Sequence, residues 1–394
     1  MKTKQHFLFF FLLSGLLISC VDDVVEFKEY NYLPEDYAVL TQTLDLPEEP
    51  FNYELLLPDH IGQNVFPRPI SNNKATLGRV LFYDKDLSRN GTVSCASCHK
   101  QEIAFSDNVA FSQGFQGEET HRNSIALGSV LGFAATYGSS NTVGPNGEFG
   151  AAFFWDERAF SASEQALLSL TDNVEMGMTP ESIVATVKSK EYYRILFKTA
   201  FRGEEINEEN ILAALESFID AIGSFNSKLD QAMINGNGLL DFGNRLPDFT
   251  NEENNGKELF MANCMACHGT QFTGSPARIA NNGLDLVYED KGVGAVQSLS
   301  NMNGVFKVPA LRNIALTAPY MHDGRFSSLE EVIDFYSTGI KSHENLDERL
   351  STVDGQAVKF NFTDKEKNEL IAFLNTLTDQ NFLSEEKYSD PFMR

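Results

Sequence analysis

Four of the five cysteines in this chain fall into two runs of one pattern, Cys95-Ala96-Ser97-Cys98-His99 and Cys264-Met265-Ala266-Cys267-His268. Cys-x-x-Cys-His is the attachment signal for c-type haem. Its two thiols add across the two vinyl groups of one porphyrin, and the adjoining histidine comes to lie against the iron. Zinc and a thiol–disulfide switch are the plainer alternatives. Zinc favours two ligand pairs at finger-like spacing, and a histidine directly after the second cysteine is poorly placed to share that metal. A redox Cys-x-x-Cys has no use for the histidine. The pattern therefore predicts two covalently held haems, with His99 and His268 as near-side iron ligands, in a protein that moves electrons.

The fifth cysteine has a different context. Met1-Lys2-Thr3-Lys4 leads into an apolar run from Phe7 to Ile18, too short and too close to the start for a lone spanning helix. The run ends in Leu17-Ile18-Ser19-Cys20, which resembles a bacterial lipobox. Residues 1–19 read as a lipoprotein signal peptide, and Cys20 as a lipidation site that anchors the mature protein to a membrane. Asp22 and Asp23 directly after it are a cue for surface export. An exported protein on the periplasmic side of a membrane or at the cell surface is expected.

The chain is strongly acidic, with a formal charge of -24. Loss of residues 1–19 removes Lys2 and Lys4 and deepens that charge. Such a surface repels nucleic acid. It suits a basic electron donor such as a small cytochrome c, or it serves solubility alone.

These chemical residues must be held by something, and the elements around them read as helices. Residues 20–65 hold prolines at 34, 47, 50 and 58 and read as an extended tether rather than core. A helical pattern begins near Asn73, with Leu77, Val80 and Leu81 on one face, and ends near Asp84. Further helices are expected near 160–170, 180–188, 191–200 and 208–225, with Thr179-Pro180-Glu181 as an N-cap. The Asn235-Gly236-Asn237-Gly238 cluster marks the boundary between an N-terminal domain, 66–235, and a C-terminal one, 236–385. Capping signals at Thr250, Ser328 and Thr363 start the helices of the second half. The stretch 138–147 reads as a surface insertion. Both halves follow one plan: helix, haem motif, long loop, closing helices. The expectation is an all-α fold of two cytochrome c-like haem domains in tandem, with little β structure.

The longer motifs add a family. Leu81-Phe82-Tyr83-Asp84, Arg122-Asn123-Ser124, Phe154-Trp155-Asp156-Glu157-Arg158, Val174-Glu175-Met176-Gly177, Val308-Pro309-Ala310-Leu311-Arg312-Asn313 and Ala318-Pro319-Tyr320-Met321-His322-Asp323-Gly324 stand in this order. Together they resemble the bacterial di-haem cytochrome c peroxidases and their MauG-like relatives, from about Leu77 to Leu377. The resemblance implies that the N-terminal haem, on His99, reacts with peroxide and that the C-terminal haem, on His268, passes electrons in. It makes Trp155, the chain's only tryptophan, the residue between the haems. It makes Glu175 the acid–base group that moves the peroxide proton, and Gln165 a distal-pocket hydrogen-bond partner. It also implies a calcium ion between the domains, on Asn123, Thr317 and Pro319.

Two positions depart from the family's peroxidase pattern. Where some members place a histidine that closes the reactive iron at rest, this chain has Phe115, with His121 the nearest substitute. A site open without prior reduction is therefore expected. The far-side ligand of the second haem falls on Tyr336 in register, as in MauG-like proteins, with Met321 as its rival. An anionic oxygen favours ferric iron and a low potential; methionine raises it.

Three functions are compatible with these residues. The first is a peroxidase that reduces hydrogen peroxide to water with electrons from a small carrier protein. The second is a MauG-like oxidase acting on a protein or organic substrate. The third is a lipid-anchored electron carrier without catalysis, and Glu175, Gln165 and Phe115 weigh against it. A homodimer is compatible with all three.

Overall fold

The computed structural model describes residues 31–62, 69–128, 153–235, 242–270, 272 and 277–393. The signal peptide, Cys20, the 138–147 stretch and the Gly236–Gly238 part of the boundary lie outside them. The described chain is mostly helical. Its sheet content is a two-residue antiparallel pair, Ile279–Ala280 with Phe306–Lys307, plus isolated bridges.

One packing device is used twice. In the first half, helix Asn72–Tyr83 starts at Ser71, whose hydroxyl accepts from the Lys74 amide, and it is buried almost throughout. It crosses helix Glu208–Ala221 at Gly78, where an added Cβ would sit 2.0 Å from the carbonyl oxygen of Ala214. One turn on, Phe82 meets Phe218 edge to face at 5.3 Å. In the second half, helix Asn251–Asn263 starts from a Thr250/Glu253 capping box and crosses helix Asp364–Asn375 at Gly256. A Cβ there would lie 1.8 Å from the carbonyl oxygen of Glu369. One turn on, Phe260 meets Phe373, again at 5.3 Å. Only glycine lets the helix backbones approach this closely, and the phenylalanine four residues later fills the space beyond the crossing. Each crossing seats the helix that leads into a haem motif.

The helices expected from periodicity are found at Ala162–Thr171, Pro180–Ser189, Glu191–Ala200 and Glu208–Ala221. Thr179 forms a reciprocal cap with Ser182, and proline follows at the first helical position. The predicted caps at Ser328 and Thr363 are also present.

The tether reading needs correction. Residues 31–62 do wrap the first domain, but Leu40, Leu44 and Tyr53 are fully buried in its core and Pro34–Leu40 is helical. The prolines shape a path across the core rather than a linker. The C-terminal tail crosses back as well: Phe382 and Tyr388 pack in the first core, not the second. Arg79, 1% exposed, joins the two wraps by donating to the carbonyls of Lys387 and Asp45. The domains are further tied by a buried triad in which Arg312 forks onto Asp230 at 2.7 and 2.9 Å, and His60 contacts the same carboxylate at 2.9 Å.

Two candidate haem sites

Each Cys-x-x-Cys-His run is folded as one helical turn. Ser94 caps the first with Ser97, and the long helix Asn251–Asn263 feeds the second directly. Cys95, Cys98, Cys264 and Cys267 are unpaired. Burial pushes the Cys95 and Cys264 thiols up to about 12 and Cys98 up to about 11.

The histidines are prepared in one way at both sites. His99 Nδ1 lies 3.0 Å from the Phe105 carbonyl, and His268 Nδ1 lies 3.2 Å from the Pro309 carbonyl. A carbonyl can only accept, so Nδ1 carries the proton and Nε2 keeps its lone pair for iron. Burial lowers the pKa of His99 and brings His268 down to about 4. Both imidazoles are thus neutral, the form that binds a metal. The Ser124 hydroxyl adds a contact to His99 at 3.2 Å while donating to the Cys98 carbonyl. Paired thiols and an imidazole with Nδ1 engaged fit c-type haem at each motif, and at the second they line an apolar cavity.

The far sides differ. At the first site, Gln165 lies on helix Ala162–Thr171 and donates to Ser169 at 3.1 Å, one turn along the same face. Ser169 in turn hydrogen-bonds Glu175, in the loop that follows. Burial and then Asp172 raise the Glu175 pKa, against Ser169 and Arg158, which lower it. Its charge is felt at the Cys95 and Cys98 thiols, which places it at the first haem motif. Phe115 is buried, and its amide donates to the Glu175 carbonyl at 3.0 Å. Its ring lies against Gly177, where a Cβ would be 2.5 Å away. Phe115 therefore buttresses the Glu175 loop. His121 is exposed.

At the second site one apolar cavity is lined by Cys264, Cys267, His268, Trp155, Met321 and Tyr336. Tyr336 sits in a π-helical turn, Phe335–Gly339, that continues helix Leu329–Asp334. Such turns are frequent at functional sites because the wide turn re-aims its side chains. Burial pushes the Tyr336 phenol up to about 12. Asn282 donates to both rivals, 3.4 Å to Tyr336 Oη and 3.6 Å to Met321 Sδ.

Trp155 lines the second cavity and is bonded to Asn123, the neighbour of the Ser124 that contacts His99. Its indole N–H donates to the Asn123 carbonyl at 2.8 Å, and its own carbonyl accepts from the Lys307 amide at 2.8 Å. Asn123, Thr317 and Pro319 line the same cavity as Trp155. The Asn123 amide donates to the Val109 carbonyl at 3.1 Å, and the Thr317 hydroxyl to Ile314 at 3.3 Å.

Ser169, Asn282 and a buried Glu157–Arg278 pair at 2.7 Å beside Trp155 were not singled out from the sequence. Ser169 had a usable signal, being four residues after Gln165 and so on its helix face. Asn282 had none, because its two partners are 39 and 54 residues away.

Two thiol pairs and two prepared imidazoles define a di-haem c-type redox protein. Comparison with known proteins is consistent with that. A family described as di-haem cytochrome c peroxidase matches residues 72–238, and cytochrome c matches residues 253–378. The chain is 32% identical over 315 residues to the methylamine utilization protein MauG of Methylorubrum extorquens, across 78% of this chain and 79% of that one. It is 30% identical over 275 residues to the cytochrome c551 peroxidase of Pseudomonas aeruginosa, across 68% and 72%. A solved structure of a MauG-like protein associated with microbial copper homeostasis superposes with a TM-score of 0.69 at 34% identity, covering 86% of this chain and 99% of that one. The chain belongs to the di-haem cytochrome c peroxidase and MauG family. It is an oxidoreductase, and its family carries two haems c.

Proposed function

We propose that the protein is a peroxidase that reduces hydrogen peroxide to water with electrons from a small cytochrome c or similar carrier. The observation that carries this reading is the Gln165–Ser169–Glu175 chain beside the first haem motif, which ends on a carboxyl whose pKa is raised by burial. When bound, haem supplies the iron that takes peroxide and accepts electrons. The residues supply proton handling. Cleaving the O–O bond requires a proton to leave one oxygen and arrive on the other, and Glu175 takes and returns it. Ser169 and Gln165 hold the carboxyl in place. Each peroxide consumes two protons and two electrons and leaves as two waters. Electrons arrive at the His268 side and pass by Trp155. Phe115 occupies the position of the closing histidine and offers iron no ligand, so the oxidised enzyme reacts without prior reduction.

A second reading is a MauG-like oxidase that spends the same oxidising power on a protein or organic substrate. It is favoured by Tyr336 beside the second motif. In either reading Asn123, Thr317 and Pro319 are the proposed calcium position. Amide and carbonyl oxygens are donors that suit such a hard cation. Export as a lipoprotein anchored at Cys20, facing the periplasm or cell surface, and a homodimer complete the proposal. No helix among the described residues is long and apolar enough to cross a membrane.

The test adds peroxide to air-oxidised holoprotein without pre-reduction, follows the haem spectrum, and then supplies reduced cytochrome c. Rapid oxidation of the donor supports the peroxidase. A long-lived spectrum that cytochrome c cannot discharge favours the oxidase. No spectral response to peroxide overturns both readings.

A further inference from the structure

The second cavity holds two side chains able to bind iron from the far side, and one amide touches both. We propose that Asn282 selects the far-side ligand of the C-terminal haem, holding the Met321 sulfur away while steadying the Tyr336 oxygen for the iron. The proposal rests on the reading of Tyr336 as that ligand.

The geometry supports a selector rather than a chance contact. A primary amide has two N–H groups. Here the nitrogen lies 3.4 Å from Tyr336 Oη and 3.6 Å from Met321 Sδ. A thioether can only accept, which fixes the nitrogen, not the carbonyl oxygen, on this side of the amide. A thioether is a weak acceptor, and while its sulfur faces this N–H it is turned to the amide rather than to a metal. The phenol oxygen ligates as an anion, and a hydrogen bond donated to an anion is the stronger one, so the same amide favours the oxygen over the sulfur as ligand.

All three groups are mounted on pinned backbone. Asn281 is 1% exposed; its side-chain Oδ1 accepts from the Gly283 amide at 2.8 Å and from the Tyr288 hydroxyl at 3.1 Å. Gly283 packs against Ile340–Lys341, just past the π-helical turn that bears Tyr336, and its carbonyl accepts from the Lys341 amide at 2.8 Å. Asn282 and Tyr336 are therefore mounted on contacting elements. Met321 is held at φ +75°, next to His322, whose ring stacks on Phe306 at 3.8 Å. Gly324, three residues on, abuts Ala110, with only 2.6 Å from an added Cβ to the Ala110 Cα. None of the three can drift far, so the amide between them sets which ligand is available.

The experiment compares wild type, N282L, M321L, N282L/M321L and Y336F as haem-loaded proteins. Its readouts are the ligand signature of the C-terminal haem by magnetic circular dichroism and electron paramagnetic resonance, and the midpoint potential. N282L, similar in size but without a donor, should show a methionine-ligated population absent from wild type, with an upward shift in potential. N282L/M321L should lose that population, and M321L alone should match wild type. An N282L signature identical to wild type overturns the proposal, as does a change that survives in N282L/M321L. Should N282L fail to take up haem, N282D tests the same point, because its acceptor oxygens repel the sulfur; its expected and overturning results are those of N282L. A wild-type signature unaltered in Y336F overturns the Tyr336 assignment itself. A signature altered in Y336F but not in N282L overturns the selector alone.

Discussion

The two haem sites share a near side and differ on the far side. Each near side has a histidine whose Nδ1 meets a backbone carbonyl, in a one-turn run that follows a helix crossing its partner at a glycine. The far side of the first is a polar chain of Gln165, Ser169 and Glu175, with nothing from Phe115 to offer iron. The far side of the second is an apolar cavity with two candidate ligands, Tyr336 and Met321. A duplicated scaffold thus presents the same near-side ligand to each haem, and under the proposed function the far side decides whether that position does proton chemistry or only carries electrons. Substitutions on the shared side should affect assembly, whereas substitutions on the far side should separate the functions.

The largest expected effect tests the polar chain. Glu175→Gln keeps the shape and removes the exchangeable proton. Peroxide turnover is expected to fall by about 10²–10⁴-fold, the usual contribution of general acid–base catalysis. The haem spectra and donor binding should be unchanged. Retention of full turnover would place the proton chemistry elsewhere. Ser169→Ala should fall between this variant and wild type, with Ser169→Thr restoring activity, because the hydroxyl orients the carboxyl rather than transferring the proton itself.

Next is the join between the two regions. Arg312→Met takes the guanidinium from a buried Asp230 and leaves it the bonds from His60 and Ser227. Breaking a buried ion pair by removing one member costs about 3–5 kcal/mol. Denaturant unfolding of the loaded protein should show that loss, and the domains should unfold in separate steps. Arg312 and hydrogen bonds from His60 and Ser227 hold the Asp230 carboxyl well below the usual carboxylate range, against the opposing effect of burial. Its contribution is therefore present above the ordinary carboxyl pKa and lost as pH falls through the depressed value. In Arg312→Met the lowered stability should depend less on acid than in wild type.

The repeated crossing gives a third, smaller effect. Gly78→Ala and Gly256→Ala each press a methyl against a partner-helix carbonyl, and overpacking of this kind costs about 1–3 kcal/mol. The two losses should be similar in denaturant titrations, and each should impair haem uptake at its own motif. Unequal losses, with uptake unaffected at both sites, would break the analogy between the halves.

What was legible in the sequence follows the range of the interactions. The haem motifs, the caps at Thr179, Thr250 and Thr363 and the helix at Asn72–Tyr83 are set by residues within a turn or two of one another. Glu175, Gln165 and Trp155 came from family motifs, and the structure places the first two on one chain through Ser169. The role of residues 31–62 was misjudged because proline spacing reports a break in regular structure and not burial: Leu40, Leu44 and Tyr53 are buried by Phe218 and by a tail more than 300 residues away. Asn282 was missed for the same reason. Its chemistry exists only when a strand end, a strained turn and a π-helical turn meet.

The smallest effect concerns stability rather than turnover, and it tests whether the Glu175 site is set up for function at a cost to the fold. Burial raises the Glu175 pKa, so the folded protein prefers the neutral carboxyl. A raised carboxyl contributes stability that is fully present below the unfolded pKa and is lost as pH rises through the folded one. Glu175→Gln has no charge to bury and should escape that loss. Its melting temperature, measured on the loaded protein, should exceed that of wild type near neutral pH. The difference should vanish in mild acid, where the wild-type carboxyl is protonated in both states. The opposite sign at neutral pH would mean that a cation stabilises the carboxylate. Arg158 is the one available, yet it already pairs with Asp156 at 2.9 Å. Under the proposed function, the site that keeps a proton on hand for peroxide gives up a little stability at the pH where it works.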